Sequence, residues 1–285
     1  PRSGDMSLVV YDAAGRPASE FDLSYEESQR GRVYAAFDTT RHVRDHQLIV
    51  GPRRTTETDN AYQRRYLKGI LNPALVTVVG WDFAVNEPTS LLLGQVVDDA
   101  SMRIRWVDEH EKADQSWEYY QAFLQGFWAP ITKEVTGRDL LHYGDPAGRQ
   151  RNASLESWVT NLDLATRGKK FPIHIITGPK VGVEGEWLDH INELMRKGTF
   201  EVSLWCSHLA DALGQYHFPL DENGNPVPGK HEPVHDEWSH AMDAMKYVYA
   251  FRWSNRLKDV RAQAVSTSSI LAMGSKARIE RQTDF

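Results

Sequence analysis

From residue 75 the chain runs LVTVVGWDFA, apolar at almost every position until it ends in Gly-Trp-Asp. A continuous β-branched run of this length predicts a strand buried on both faces. TSLLLGQVVD (89–98) and MRIRWVDEH (102–110) follow at hairpin spacing, which predicts an antiparallel meander. ADQSWEYYQAFLQGFW (113–128) then changes to helical periodicity, with Asp114 as the expected N-cap. Strands and helices alternate from there on. Strands are predicted at 140–145, 171–178 and 200–204, and helices at 152–168, 185–198 and 206–216. A turn-rich loop, PLDENGNPVPGKHEP (219–233), leads to HDEWSHAMDAMKYVYA (235–250), which also has helical spacing. Upstream, short strands are predicted at 7–12, 32–38 and 42–50, and a polar, basic stretch at 51–72 reads as a loop leading into a short helix, closed by Pro73. The fold class this order implies is α/β, a mixed sheet with helices on both faces.

Composition narrows the picture. The chain has 285 residues, 41% of them apolar and a quarter charged. That is enough for one large domain with extensions. No run of about 18 apolar residues appears, so no membrane span is expected, and the first residues lack the apolar core of a signal peptide. The single cysteine, Cys206, excludes an internal disulfide and a cysteine-based zinc cluster, and fits a reducing compartment. The net charge is −6, so nucleic acid would have to be held by local features rather than by a generally basic surface. Charge is unevenly placed: from Arg252 onward seven Lys/Arg stand against three Asp/Glu. An acidic body with a basic tail suits an acidic metal site, although a solvated tail has the same composition.

The chemistry concentrates in aspartates at strand ends. Asp82 closes VTVVGW, and Asp145 closes LLHYG. Sites in α/β sheets gather at such ends, and a carboxylate directly after a buried run is costly to bury unless paired or bound to a cation. Either aspartate alone also fits a turn, and YGDPAG is good turn chemistry. Residues 235–250 add to them. At about 100° per residue, Trp238, Met242, Met245 and Tyr249 share one face. Asp236, His240, Asp243 and Tyr247 lie opposite, without the Lys/Glu mixture of an ordinary solvated face. Three carboxylates from two strand ends and one late helix make a hard-oxygen donor set of the kind Mg²⁺ and Mn²⁺ prefer.

VVGWDFA, LLHYGDPAG and HDEWSHAMDAMKYVYA, in this order, resemble the three acidic motifs of the nuclease domain of large terminase subunits, the DNA-packaging motors of tailed bacteriophages. The segment ITGPKVGVEGEWLDHINELMRKGTFEVSLWCSHLADALGQYHF resembles the family's stretch before the last acidic helix, and the likeness covers roughly residues 30–253. It implies an RNase H-like fold and a two-metal (Mg²⁺ or Mn²⁺) endonuclease that cuts concatemeric viral double-stranded DNA in the host cytoplasm. It implies Asp82, Asp145 and Asp243 as catalytic metal ligands, with Lys180 near the scissile phosphate. It also implies the portal protein, the small terminase subunit and an ATPase domain on a longer chain as partners, with no membrane. The domain organisation expected is a β-rich extension and basic linker at 1–72 within the same globule, a nuclease core at 73–253, and a basic tail at 254–285.

Two departures stand out. Where the family often has an acid before His-Ala-Met-Asp, this chain has Ser239, so Asp236 or His240 is a candidate replacement ligand. No G-x-x-x-x-G-K-[ST] occurs, so ATP hydrolysis is not expected of these residues. Arg149, Arg151 and Lys180 flank the motifs and are the expected DNA contacts, with Arg53, Arg54, Arg64, Arg65, Lys169 and Lys170 as further basic candidates. Backbone contacts of this kind imply little sequence specificity. A resolvase- or transposase-like nuclease and a non-catalytic interaction domain are the alternative readings; a Ser-His-Asp hydrolase lacks its G-x-S-x-G elbow.

Overall fold

The computed structural model describes residues 31–84, 87–146, 157–178, 186–230 and 232–253. The strand expected at 7–12, the tail at 254–285, and Arg149, Arg151 and Lys180 lie outside the described residues.

The described elements, in chain order, are α1 (Thr39–His42), β1 (Val43–Arg44), α2 (Gln47–Val50), α3 (Asp59–Ile70), β2 (Val76–Asp82), β3 (Thr89–Asp98), β4 (Arg103–Lys112), α4 (Trp117–Gly126), α5 (Trp128–Thr136), β5 (Leu141–Gly144), α6 (Trp158–Thr166), β6 (Ile175–Ile176), α7 (Glu186–Arg196), β7 (Glu201–Ser203), α8 (Ser207–Gln215) and α9 (Ser239–Arg252). The strands form one seven-stranded mixed sheet in the order β1-β7-β4-β3-β2-β5-β6. β2, β3 and β4 pair antiparallel, as the hairpin spacing predicts. β5 joins β2 in parallel, and β6 joins β5 in parallel.

Residue alternation divides the core in two. Val78 and Leu92 face a cluster containing Ile191 of α7, Leu209 and Leu213 of α8, and Met242 and Met245 of α9. Val79, Trp81, Leu91 and Leu93 face the opposite cluster, with Tyr66 and Leu67 of α3, Leu124 of α4, Trp128 of α5 and Leu162 of α6. β2 is buried on both faces from Thr77 to Asp82, as a strand between two helical layers must be. The odd–even count puts Asp82 on the same face as Val78 and Gly80, beneath α9.

Several sequence expectations change. In place of the strand at 32–38, Arg32 makes a single antiparallel bridge to His217 and residues 33–36 form turns, and 42–50 holds a two-residue strand between two single helical turns. The Asp38 carboxylate accepts the backbone N–H groups of Thr40 and Arg41, which starts α1 between the two expected strands. β4 runs on to Lys112, so Asp114 sits in a tight turn at φ 54° and is not the N-cap; α4 begins after Ser116, and a break at Phe127 separates it from α5. The strand expected at 171–178 shrinks to Ile175–Ile176. Pro172 has no N–H for a ladder, and the Ile173 N–H is taken by Thr166 Oγ1 at 2.8 Å. The last helix starts at Ser239, four residues later than its periodicity suggests, and is buried almost all round rather than on one stripe. Cys206 is buried, and no described helix is long and apolar enough to cross a membrane.

Candidate metal centre

Two strand ends place the first two aspartates. In the parallel pairing of β2 and β5, Trp81 stands opposite Gly144. The next residues are Asp82 and Asp145, and the Asp145 N–H donates to the Trp81 carbonyl at 3.1 Å. Asp145 is thereby fixed beside Asp82 by the ladder itself.

α9 brings the third. It packs on β2, β3 and β5, and its approach to β2 depends on Gly80, where a Cβ would stand 2.2 Å from the Ala244 carbonyl oxygen. A glycine inside a buried strand often marks such a close backbone approach. Asp243, the neighbour of Ala244, is therefore carried to the face on which Asp82 lies. The three carboxylates share a field: Asp243 and Asp145 both act to raise the Asp82 pKa, and all three raise that of the Tyr247 hydroxyl.

Each aspartate has a partner from α9. His240 Nδ1 lies 2.9 Å from Asp82 Oδ2, and both side chains are buried. Lys246 Nζ donates to Asp243 Oδ1 at 2.6 Å. Tyr247 is hydrogen-bonded to Asp145. Burial pushes the Asp82 carboxyl up to about 7 even though the bond to His240 pulls it down, and the neighbouring aspartates add to the rise. The same bond to Asp82 raises the His240 pKa against the effect of its burial.

The described residues also include a group that the sequence pattern does not single out. Glu87, in the β2–β3 connection, puts Oε2 3.6 Å from His240 Nε2 and 3.6 Å from His235 Nε2. His235 Nδ1 in turn lies 2.9 Å from Ser239 Oγ. Ser239, standing where an acid is expected, thus belongs to a chain Ser239–His235–Glu87–His240–Asp82. Nothing in the periodicity marks Glu87, since it sits in a loop and is 59% exposed.

Asp236 is not on the helix. It precedes α9, where its Oδ1 accepts the Trp238 N–H and its carbonyl accepts from Ser239. Burial raises the Tyr216 hydroxyl pKa, and the charges of Asp243, Asp236 and Asp82 add to the rise.

Among the described residues, no three His, Cys, Asp or Glu side chains form a ready-made cage for a metal ion. The aspartates are held instead by their α9 partners. The chemistry of the set nonetheless suits a hard cation. It offers three carboxylates, one of them buried, where burial first and the neighbouring aspartates second work against its negative charge.

Three of the further basic candidates, Arg53, Arg64 and Arg65, serve the scaffold. Arg65 is bonded to Glu57 at 2.8 Å, and Arg53 is paired with Asp59. Arg64 donates to the Gly126 carbonyl at 2.7 Å and lies over the Phe127 ring. Lys169 and Lys170 are exposed, with the Lys170 ammonium over Phe171.

Solved structures share this architecture. The large terminase of a thermophilic bacteriophage superposes with a TM-score of 0.52 at 17% identity, over 78% of this chain and 45% of its own. The complex of that terminase with ATP-gamma-S gives 0.53 at 16% identity over the same shares. The P22 large terminase nuclease domain gives 0.51 at 17% identity, over 78% of this chain and 92% of that domain. The matched region spans less than half of the thermophilic phage protein and nearly all of the P22 domain. Neither a protein-family model nor a curated protein matches the chain. At these identities the likeness establishes the fold: an RNase H-like α/β domain of the kind found in large terminase nuclease domains.

Proposed function

We propose that this chain is a divalent-metal-dependent endonuclease that hydrolyses phosphodiester bonds of double-stranded DNA during viral genome packaging. The observation that carries the proposal is the meeting of two neighbouring strand ends, Asp82 and Asp145, with the Asp243 segment of α9 docked over Gly80. The shared fold supports it, since the P22 structure of that fold is a large terminase nuclease domain.

In this reading Asp82, Asp145 and Asp243 would hold Mg²⁺ or Mn²⁺, with two ions expected, and Glu87, 3.6 Å from His240 Nε2, adds negative charge beside the His240–Asp82 pair. A divalent ion held by these carboxylates would supply an activated water and positive charge for the leaving oxygen. The chain's own groups do the rest. His240 orients Asp82 through its Nδ1 and faces Glu87 with its Nε2. Buried aromatic neighbours such as Trp81, stacked on Phe83, keep the strand end rigid. Lys180, Arg149 and Arg151 neutralise backbone phosphates on a chain whose net charge is −6. Such contacts position the duplex without reading its sequence.

The portal protein, the small terminase subunit and an ATPase domain are the partners this reading implies, in the host cytoplasm. Incubation with supercoiled plasmid tests it. Mn²⁺ or Mg²⁺ should support nicking and linearisation, and EDTA or Asp82→Asn should abolish them. Metal-independent cleavage, or full cleavage by Asp82→Asn, would overturn the proposal.

A further inference from the structure

We propose that Lys246 is a built-in counter-cation of the carboxylate site, which holds the cluster together without metal and competes with divalent cations for Asp243. The inference rests on reading Asp82, Asp145 and Asp243 as a cation site.

A lysine is almost never fully buried unless it is paired. Lys246 is buried along its whole side chain, with 5% exposed, against 24% for the Asp243 it serves. The ammonium lies 2.6 Å from Asp243 Oδ1 and 4.7 Å from the centroid of the Tyr247 ring. An ordinary i,i+3 pair on a solvated helix face contributes little and is exposed. This one is enclosed, on a helix whose other faces are also packed. Its position follows the logic of the site. Tyr247 reaches Asp145 through a neutral hydroxyl, so Lys246 is the α9 residue that brings an ammonium to Asp243.

Two consequences follow. Without metal, loss of the ammonium leaves Asp243 uncompensated in a poorly solvated place and loosens the docking of α9. With metal, the ammonium and the incoming cation repel each other across Asp243 at short range, where screening by water is weak. Lys246 therefore weakens divalent binding while stabilising the metal-free fold.

The test uses the full chain and Mn²⁺ alone as probe, with binding read by calorimetry and the metal-free Tm read in EDTA. Lys246→Met, which keeps the apolar stem, is expected to bind Mn²⁺ about tenfold more tightly. Its metal-free Tm should fall by about 4 °C or more. Lys246→Arg, which keeps the charge, should stay near wild type in both. Lys246→Gln keeps a donor for Asp243 without the charge; it should bind as the Met variant does, and it decides the question if the Met variant fails to fold. Unchanged or weaker Mn²⁺ binding by the neutral variants, against clear binding by wild type, overturns this inference alone and reduces Lys246 to a structural residue. An absence of Mn²⁺ binding by wild type overturns the cation-site reading and this inference with it.

Discussion

Gly80 on β2 and Ala244 on α9 pass so closely that a Cβ on Gly80 would stand 2.2 Å from the Ala244 carbonyl oxygen. This approach sets the depth at which α9 lies on the sheet. Through it, Asp243 is brought over the strand that ends in Asp82. The obstacle to any side chain is backbone, which cannot swing aside as a flexible side-chain tip would.

Gly80→Ala is therefore expected to push α9 off the sheet. Overpacking of a tight core costs about 1–3 kcal/mol, and a backbone clash belongs at or above the upper end. A thermal melt should show a loss of several degrees, and Mn²⁺-dependent cleavage should fall further than the unfolded fraction explains. A variant with wild-type Tm and activity would mean that α9 does not depend on this approach.

Asp108 makes the stability of the fold depend on pH in a defined direction. Its buried carboxyl accepts the Trp128 indole N–H at 2.7 Å and the Gln63 amide at 2.9 and 3.0 Å. Burial nevertheless raises its pKa to about 7. Between about pH 4 and 7 the folded protein thus holds a proton that the unfolded chain has released, so the contribution of this group to stability falls as pH rises through that window. Asp108→Asn should flatten the dependence and leave the variant relatively more stable at pH 8 than at pH 4. Denaturant titrations across this range check it; a slope equal to wild type would contradict it.

Binding to DNA should depend on salt through few phosphate contacts. Lys180→Ala, Arg149→Ala and Arg151→Ala are each expected to weaken binding similarly across unrelated duplexes. Each should also lower the slope of log K against log salt by about one, the share of a single neutralised phosphate. Fluorescence anisotropy in Ca²⁺ at several salt concentrations would measure it. Arg65→Ala, by contrast, removes a group already bonded to Glu57 and should affect stability more than DNA binding.

The centre of the molecule is legible in the sequence and the periphery less so. VTVVGWD announces its strand because both its faces are buried, which leaves a continuous apolar run. The hairpins to β3 and β4 are equally plain, since the turn spacing sets their antiparallel order, although register shifts at Leu93/Gly94 and Val96/Asp98 in the β3–β4 pair leave no mark in the pattern. Short elements held by tertiary contacts are harder. β1 and β6 have two residues each, too few for any period to show. The α4–α5 pair reads as one helix because the break at Phe127 lies within an unbroken aromatic pattern. Residues 235–250 look amphipathic, yet α9 lies against the sheet and other helices and buries its polar side as well. That burial is what turns His240, Lys246 and Tyr247 from surface residues into partners of the aspartates. Glu87 leaves no trace in the pattern because only the folding of the β2–β3 connection brings it to His240.

The central claim is that Asp82, Asp145 and Asp243 together hold a divalent cation. The most direct measurement is an anomalous difference map from crystals of the chain soaked in Mn²⁺. The account predicts at least one strong peak at about 2.1–2.3 Å from carboxylate oxygens of Asp82 and of Asp145 or Asp243. The Lys246 ammonium should have withdrawn from the oxygen that the ion takes. A map with no peak within reach of Asp82, or with manganese bound only elsewhere on the surface, would contradict it.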